Sequence, residues 1–115
     1  MGKYILSISV LACVAIILSC GSSKNLAETP RLTYESDLST VIMNNCTPCH
    51  IPAKGGFKKA YDNYANVKTD IDEMIRRMEL DPSDKGFMPF KKKARLPDST
   101  IAVFKRWRAD GLREK

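Results

Sequence analysis

A Cys-x-x-Cys-His sequence lies near the middle of the chain and constrains its fold more than any other feature. It consists of Cys46, Cys49 and His50, and His50 is the only histidine in the 115 residues. Such a triplet can contribute ligands to a zinc site, form a redox-active disulfide or attach a haem group. Each of these chemistries makes a different demand on the rest of the chain, so the remaining sequence discriminates between them.

Zinc binding and redox-disulfide chemistry both lack the partners that they require elsewhere in the sequence. A structural zinc ion takes four protein ligands, usually from two spaced pairs, and the chain has no second Cys/His pair. A thioredoxin-like centre places its two cysteines at a strand-to-helix junction within a βαβ unit. The residues before Cys46 have helical periodicity instead, so the sequence disfavours both interpretations.

Haem attachment agrees with more of the sequence, because Cys-x-x-Cys-His is the attachment signature of c-type haem. Thioether bonds from Cys46 and Cys49 would fix the edge of the macrocycle to one turn of backbone, and His50 would place its imidazole beneath the iron. A domain of about 80 residues buries a modest core and often recruits a metal or cofactor. We therefore predict one covalently bound haem c.

The second axial ligand cannot be another histidine of this chain, and methionine is the other soft ligand common on haem iron. Met88 lies in a segment between helices, next to Pro89. A residue before proline favours extended backbone, which suits a loop laid across a haem face. The other methionines have different assignments: Met1 leaves with a signal peptide, Met43 lies on the first helix, and Met74 and Met78 belong to a helical apolar stripe. We predict His50 and Met88 as the axial ligands.

The N-terminal segment predicts export. Lys3 precedes an apolar run over residues 4–18, which is typical of a signal peptide and shorter than the roughly 20 residues that span a bilayer. Residues 17–20, Ile-Leu-Ser-Cys, resemble the lipobox of bacterial lipoproteins, which implies cleavage before Cys20 and lipid attachment to its sulfur. Residues 1–19 are thus predicted as a lipoprotein signal peptide; an ordinary secretory signal with a stray cysteine is the alternative.

A tether and one domain are expected after the signal. Residues 21–32 are polar, contain serine and proline and have no apolar period. With Cys20 they predict a flexible, lipid-anchored tether over residues 20–32. The folded domain is expected over residues 33–115. Cys13 leaves with the signal, so no disulfide framework is expected.

Apolar residues recur at helical spacing in three stretches, and no strand pair is apparent, so the predicted fold class is all-α. Their apolar positions are Leu38, Val41 and Ile42 in the first, Ile71, Met74, Ile75 and Met78 in the second, and Ile101, Phe104 and Trp107 in the third. The first stretch leads directly into Cys46. Asp70 and its acidic neighbours suit the start of the second helix, as the helix dipole prefers, and Pro97 suits the first position of the third.

Taken in order, the segments TYESDLSTVIMNNCTPCH, GFMPF and LPDSTIAVFKRWRADG resemble a small monohaem c-type cytochrome of class I. The resemblance covers most of the chain after residue 33. It implies a cytochrome c-like fold with three main helices around one covalent haem, in which the first and last helices cross. The apolar residues of the first stretch would then meet those of the third.

Two features differ from the pattern of that family. The family places a proline well beyond the histidine, and the carbonyl of this proline orients the imidazole, whereas the nearest proline here is Pro52. We expect a carbonyl between Ile51 and Gly56 to take this role. The first helix also offers no aromatic residue for its crossing. The expected haem-wall residues, each of which also suits the core, are Phe57, Tyr61, Tyr64, Phe87 and Phe90.

A haem with both axial positions filled has no open site for oxygen or peroxide, so it would carry single electrons. We therefore expect an electron carrier and not an enzyme, with no small-molecule substrate. One alternative is a haem-based sensor or peroxidase-type protein with an open sixth position, in which Met88 would be a packing residue. The other is a haem-free structural or thiol module.

The formal net charge of +6 would suggest nucleic acid for an intracellular protein, but predicted export disfavours that partner. Basic residues flank the two haem-binding segments: Lys54, Lys58, Lys59, Lys91, Lys92, Lys93 and Arg95. They predict either the steering of an acidic redox partner or a solvated face. The expected location is the bacterial cell envelope, facing the periplasm, with the lipid on Cys20 in the membrane. Gly21 is not the acidic residue that retains some lipoproteins at the inner membrane, which slightly favours the outer membrane.

Overall fold

The computed structural model describes residues 28–115. Three α-helices form its framework: α1 spans Ser39–Cys46, α2 spans Tyr64–Glu79 and α3 spans Asp98–Ala109. Residues 28–115 contain no β-strand, only an isolated bridge between Thr33 and Arg113. The predicted all-α class is therefore confirmed for this part of the chain.

A π-helical turn, Tyr34–Leu38, runs without a break into α1. The Thr33 hydroxyl caps this turn by accepting a hydrogen bond from the Ser36 N–H at 3.2 Å. The Asp37 carboxylate accepts from the Thr33 N–H at 2.7 Å, so the backbone N–H groups of Thr33 and Ser36 both have an acceptor. Tyr34 is buried in this turn. The expectation that the first helix has no aromatic residue is therefore wrong, because the π-turn extends it back to Tyr34.

Helix α2 begins at Tyr64, earlier than its acidic residues indicated. The Asn63 side chain caps it by accepting from the Asn66 N–H at 3.1 Å, and a side-chain cap determines a helix start more strongly than the dipole does. Asp70, expected near the start, lies well inside the helix. The predicted apolar stripe is confirmed, and the buried positions of α2 are Val67, Ile71, Met74, Ile75 and Met78.

Helix α3 follows Pro97, which lies just outside the helix and not at its first position. The Pro97 carbonyl accepts from the Thr100 N–H at 2.9 Å. At the other end Gly111 has φ = +97°, a left-handed conformation that glycine adopts without a steric penalty. The predicted buried face is confirmed, with Ile101, Phe104 and Trp107 in the core.

The first and last helical segments share one hydrophobic core. The ring centroids of Tyr34 and Trp107 are 6.5 Å apart, and Tyr64 lies 6.3 Å from Trp107. The Trp107 indole N–H donates to the Arg113 carbonyl at 2.7 Å, so its polar group is satisfied within the core. Both predicted sets of apolar residues belong to this cluster, with Val41 at its partly buried margin. Burial of these side chains is the main term that favours folding.

Residues just before the first helix lie along the end of α3. The Leu32 N–H donates to the Asp110 carboxylate at 2.8 Å, and the Arg106 guanidinium donates to the Pro30 carbonyl at 2.8 Å. The predicted signal peptide 1–19, the predicted lipid-accepting Cys20 and most of the predicted tether lie outside the described residues. Among residues 28–115, no helix has the length and hydropathy needed to cross a bilayer.

Candidate functional site

The Cys-x-x-Cys-His sequence forms the turn that follows α1. Helix α1 ends at Cys46, Thr47 adopts an extended conformation, and the chain turns so that the His50 N–H donates to the Cys46 carbonyl at 3.1 Å. Cys46 and Cys49 are free thiols, and both are half-buried. The structure therefore brings the two thiols and the only imidazole of the chain into one turn of backbone.

The thiol of Cys46 is not tuned for redox exchange. Burial raises the pKa of this thiol to about 11, and the positive charge of Lys92 offsets this only in part. The reactive form of a cysteine is the thiolate, and catalytic thiols have a lowered pKa. At neutral pH Cys46 is therefore a protonated thiol.

The loop after His50 folds back onto the turn formed by residues 46–50, which we call the Cys-His turn. The Lys58 N–H donates to the Cys49 carbonyl at 3.0 Å, and the Tyr61 N–H donates to the His50 carbonyl at 2.9 Å. Gly56, which precedes both donors in the chain, lies against the backbone of the turn. These bonds hold the backbone of Cys49 and His50 from both sides.

The imidazole of His50 is oriented by the carbonyl of Lys59. His50 Nδ1 lies 2.7 Å from this oxygen, and because a carbonyl can only accept, Nδ1 carries the proton. In the neutral imidazole this tautomer leaves the lone pair of the other ring nitrogen, Nε2, available for a metal. The expectation that a carbonyl between Ile51 and Gly56 orients the imidazole is therefore wrong, because the carbonyl of Lys59 does so.

Tyr61 packs flat against His50. The two ring centroids are 4.3 Å apart and the planes differ by 8°. The Tyr61 hydroxyl donates to Asp70 at 3.1 Å. Burial raises the pKa of Tyr61 to about 12, with the hydrogen bond to Asp70 and its negative charge acting in the same direction. Tyr61 therefore stays a neutral phenol across the physiological range.

Met88 lies in the segment between α2 and α3, and its side chain is half-buried. The Met88 N–H donates to the Arg77 carbonyl at 3.2 Å, which attaches this segment to the end of α2. Farther along, Lys92 Nζ donates to Asn45 Oδ1 at 2.8 Å, beside Cys46. The first contact holds Met88 at α2, and the second brings the residues that follow Met88 to the end of α1, beside Cys46.

The other methionines have the positions that their sequence context predicted. Met74 and Met78 are 7% and 4% exposed and belong to the core. Met43 is exposed on α1. Among the methionines that the structure describes, Met88 is thus the one that lies in a loop.

The five expected haem-wall residues have three different surroundings. Phe57 and Phe90 are 81% and 79% exposed, so for them the core interpretation is wrong. Phe87 is buried. Tyr61 stacks on His50, whereas the Tyr64 hydroxyl donates to the Leu112 carbonyl at 2.8 Å and its ring packs in the core. Of these five residues, Tyr61 is the one whose ring contacts the candidate site.

The predicted basic residues all lie on the surface. Lys59 Nζ binds Asp70 at 2.7 Å, Arg95 pairs with Asp98, and Lys58 lies over the Phe57 ring. In residues 28–115, no three His, Cys, Asp or Glu side chains group together as a metal site.

The residues present fit a covalently attached haem by the chemistry of their donor atoms. Two free thiols lie in one turn, His50 has an available nitrogen, and the thioether of Met88 belongs to the adjacent segment. The contributions of Lys59 and Asp70 were missed by sequence analysis. No local signal identifies them, because every residue carries a carbonyl and Asp70 appeared to serve a helix dipole. Comparison of the chain with models of protein families, with curated proteins and with solved structures finds no match.

Proposed function

We propose that this chain is a monohaem c-type cytochrome that carries single electrons outside the cytoplasm. The observation that carries the proposal is the state of His50. Its Nδ1–H is bound to the Lys59 carbonyl, which leaves Nε2 available directly after two free thiols. A metal-ligating histidine ordinarily donates its second ring N–H to a carbonyl or carboxylate, since this bond selects the tautomer and the ring direction.

The two thiols suit thioether attachment better than redox exchange. Cys46 and Cys49 lie at the end of α1 and in the turn after it. A redox pair would need a thiol with a lowered pKa, whereas burial raises that of Cys46. A covalent link would also retain the haem in the dilute space outside the cytoplasm.

Met88 is the proposed second axial ligand. Its segment is tied to α2 through Arg77 and to α1 through Lys92 and Asn45. A thioether is a soft ligand that raises the reduction potential of haem iron, and an iron with both axial positions filled exchanges electrons without binding oxygen. In this proposal the fold is cytochrome c-like, with the first and last helices packed together.

Exposed aromatic and basic residues support a redox surface at the same place. Phe57 and Phe90 are largely exposed and belong to the two segments that carry the proposed ligands. A bound porphyrin would offer an apolar surface to such rings. Lys58 and the lysines at 91–93 are exposed nearby in sequence, and their charge would steer an acidic redox partner. A lipid on Cys20 would keep the protein at a membrane of the bacterial cell envelope, facing the periplasm.

Covalent haem is the first measurement. The full chain, expressed in cells that mature c-type cytochromes, should show haem on a denaturing gel and a mass increase of one haem. Replacement of both thiols, Cys46→Ser with Cys49→Ser, should abolish both signals. The matched control is Cys20→Ser, which should keep the haem and lose the lipid. A wild-type chain without covalent haem would leave the haem-free thiol module as the better description.

Axial ligation is the second measurement. The oxidised protein should show the weak near-red absorption band that arises from sulfur bound to iron. Met88→Ala should abolish this band, whereas the control Met43→Ala should keep it, since Met43 lies exposed on α1. A wild-type protein that lacks the band and binds carbon monoxide readily would instead be the sensor or peroxidase-type alternative.

A further inference from the structure

We propose that Tyr61, held by Asp70, is a positioning residue that sets the plane of the His50 imidazole. The inference rests on the proposed role of His50 as an iron ligand and concerns how this chain holds that ligand. Four residues form a closed circuit of contacts: His50, Lys59, Asp70 and Tyr61. We call this circuit the histidine brace.

The brace restrains two different motions of the imidazole. The bond from Nδ1 to the Lys59 carbonyl, at 2.7 Å, determines which edge of the His50 ring points toward the loop. That bond alone still permits the ring to tilt about the hydrogen-bond direction. The Tyr61 ring lies parallel to the imidazole at 4.3 Å, so a tilt would push the imidazole edge into the phenol. The hydrogen bond therefore sets the direction and the stack sets the plane.

Tyr61 is itself held at three points. Its hydroxyl donates to Asp70 Oδ2 at 3.1 Å, and its backbone N–H donates to the His50 carbonyl at 2.9 Å. Its own carbonyl accepts from the Tyr34 hydroxyl at 3.0 Å, which connects it to the π-turn before α1. A residue that only filled space beside His50 would need neither the hydroxyl contact nor this anchoring.

Asp70 connects the two halves of the brace. Its Oδ1 accepts from Lys59 Nζ at 2.7 Å, while its Oδ2 accepts from Tyr61. Lys59 is the residue whose carbonyl binds His50, so a single carboxylate steadies both the hydrogen bond and the stack. Asp70 lies between the buried residues Val67 and Ile71 of α2. The half-buried Asp70 therefore lies at the margin of the core-facing stripe of α2, so the core holds the helix that carries the brace.

The orientation of an axial imidazole has its own spectroscopic signature. In oxidised low-spin haem the imidazole plane selects the iron orbital that holds the unpaired electron. This choice determines the order and spread of the paramagnetically shifted haem methyl resonances. A residue that acts only through stability changes the melting temperature and leaves this pattern unchanged.

The decisive variant is Tyr61→Leu in the full, haem-loaded chain. It removes the stack and should change the order or spread of the methyl resonances, with covalent haem and helical circular dichroism retained. Asp70→Ala should move the pattern in the same direction by a smaller amount. The matched controls are Tyr64→Phe, which removes a tyrosine hydroxyl bound elsewhere, and Asp72→Ala, which removes an exposed α2 carboxylate paired with Arg108. Both controls should keep the wild-type pattern.

Two outcomes would overturn the inference. One is a folded, haem-loaded Tyr61→Leu protein with the wild-type methyl pattern. If that variant does not fold, Tyr61→Phe and Asp70→Ala decide the question, because each removes the hydrogen bond between the Tyr61 hydroxyl and Asp70. The first keeps the aromatic ring, and the second places a good helix former in α2. The inference then fails if neither one broadens or shifts the methyl resonances.

Failure of the proposed function is distinguishable from failure of the brace. A chain without haem overturns the proposed function, and nitrogen NMR of the same chain still reports the His50 tautomer. The brace predicts a protonated Nδ1 in the wild type, since the Lys59 carbonyl accepts from it. It also predicts faster motion of the His50 ring in Tyr61→Leu, measured by carbon relaxation of the imidazole. Unchanged ring motion in a folded, haem-free variant would count against the brace itself.

Discussion

At the scale of single residues, Gly56 shows how closely the loop after His50 approaches the Cys-His turn. A Cβ atom at this position would lie 2.4 Å from the Pro48 carbonyl oxygen, 2.7 Å from that of Ile51 and 2.8 Å from that of Cys49. All three atoms are backbone, so no side chain can rotate away to make room. Close backbone approach, and not a left-handed conformation, is thus the reason for glycine here.

We expect Gly56→Ala to distort the Cys-His turn. Overpacking of this kind costs about 1–3 kcal/mol, and the displaced turn should lower the yield of covalent haem. Urea unfolding and haem absorbance per protein measure the two effects. The control is Gly55→Asn, because Gly55 has φ = +80° with open space around its Cβ position, and asparagine tolerates that backbone. Equal haem yields for Gly56→Ala and wild type would contradict the close-approach argument.

At the scale of secondary-structure elements, α2 serves the core and the candidate site at once. One face of α2 carries the buried stripe, and Asp70 on the same helix binds Lys59 and Tyr61. The carbonyl of Arg77 near its end receives the N–H of Met88. Loss of helical structure in α2 should therefore displace both proposed axial ligands.

We expect Asn63→Ala to destabilise α2 at its first turn. The substitution removes the acceptor for the Asn66 N–H, and loss of such a cap costs about 1 kcal/mol. Asn63→Ser restores a capping oxygen and should recover most of the stability. Thermal unfolding followed by circular dichroism gives the comparison. A serine variant no more stable than the alanine variant would show that the cap contributes little.

At the scale of the whole molecule, Trp107 joins the two ends of the region that the structure describes, residues 28–115. Its ring is fully buried between the tyrosines of the π-turn and α2. Its N–H binds the Arg113 carbonyl, which also accepts from the Tyr34 N–H at 2.9 Å. A small domain has few such contacts, so one large residue represents a substantial part of its core.

We expect Trp107→Ala to lower the free energy of unfolding so far that the fold is only marginally stable. Truncation of a buried tryptophan costs about 3–5 kcal/mol, against a total of roughly 5–15 kcal/mol for a typical domain. The control is Phe90→Ala, which truncates an aromatic that is 79% exposed and should change stability by no more than about 0.5 kcal/mol. Denaturant titration of both variants tests the difference, and similar midpoints would contradict this account of the core.

Features that depend on local spacing could be predicted from the amino-acid sequence alone. The periodicity of apolar residues predicted three helices and their buried faces, because the helical repeat is a local property. The spacing of Cys46, Cys49 and His50 placed two thiols and an imidazole in one turn for the same reason. Because the chain has one histidine, any second axial ligand from this chain must be another residue type, and this conclusion follows from the sequence without a structure.

The groups that surround His50 could not be predicted from local patterns, because they come together through the packing of distant segments. The carbonyl of Lys59, the ring of Tyr61 and the carboxylate of Asp70 come from a loop and a helix that the fold brings together. A backbone carbonyl is chemically the same at every residue, so the path of the loop selects it. From the sequence, Asp70 was equally suited to the first turn of α2. In the structure the helix begins earlier, after the Asn63 cap, so Asp70 lies within it. The packing of distant segments, which no local pattern encodes, made the surroundings of the imidazole specific.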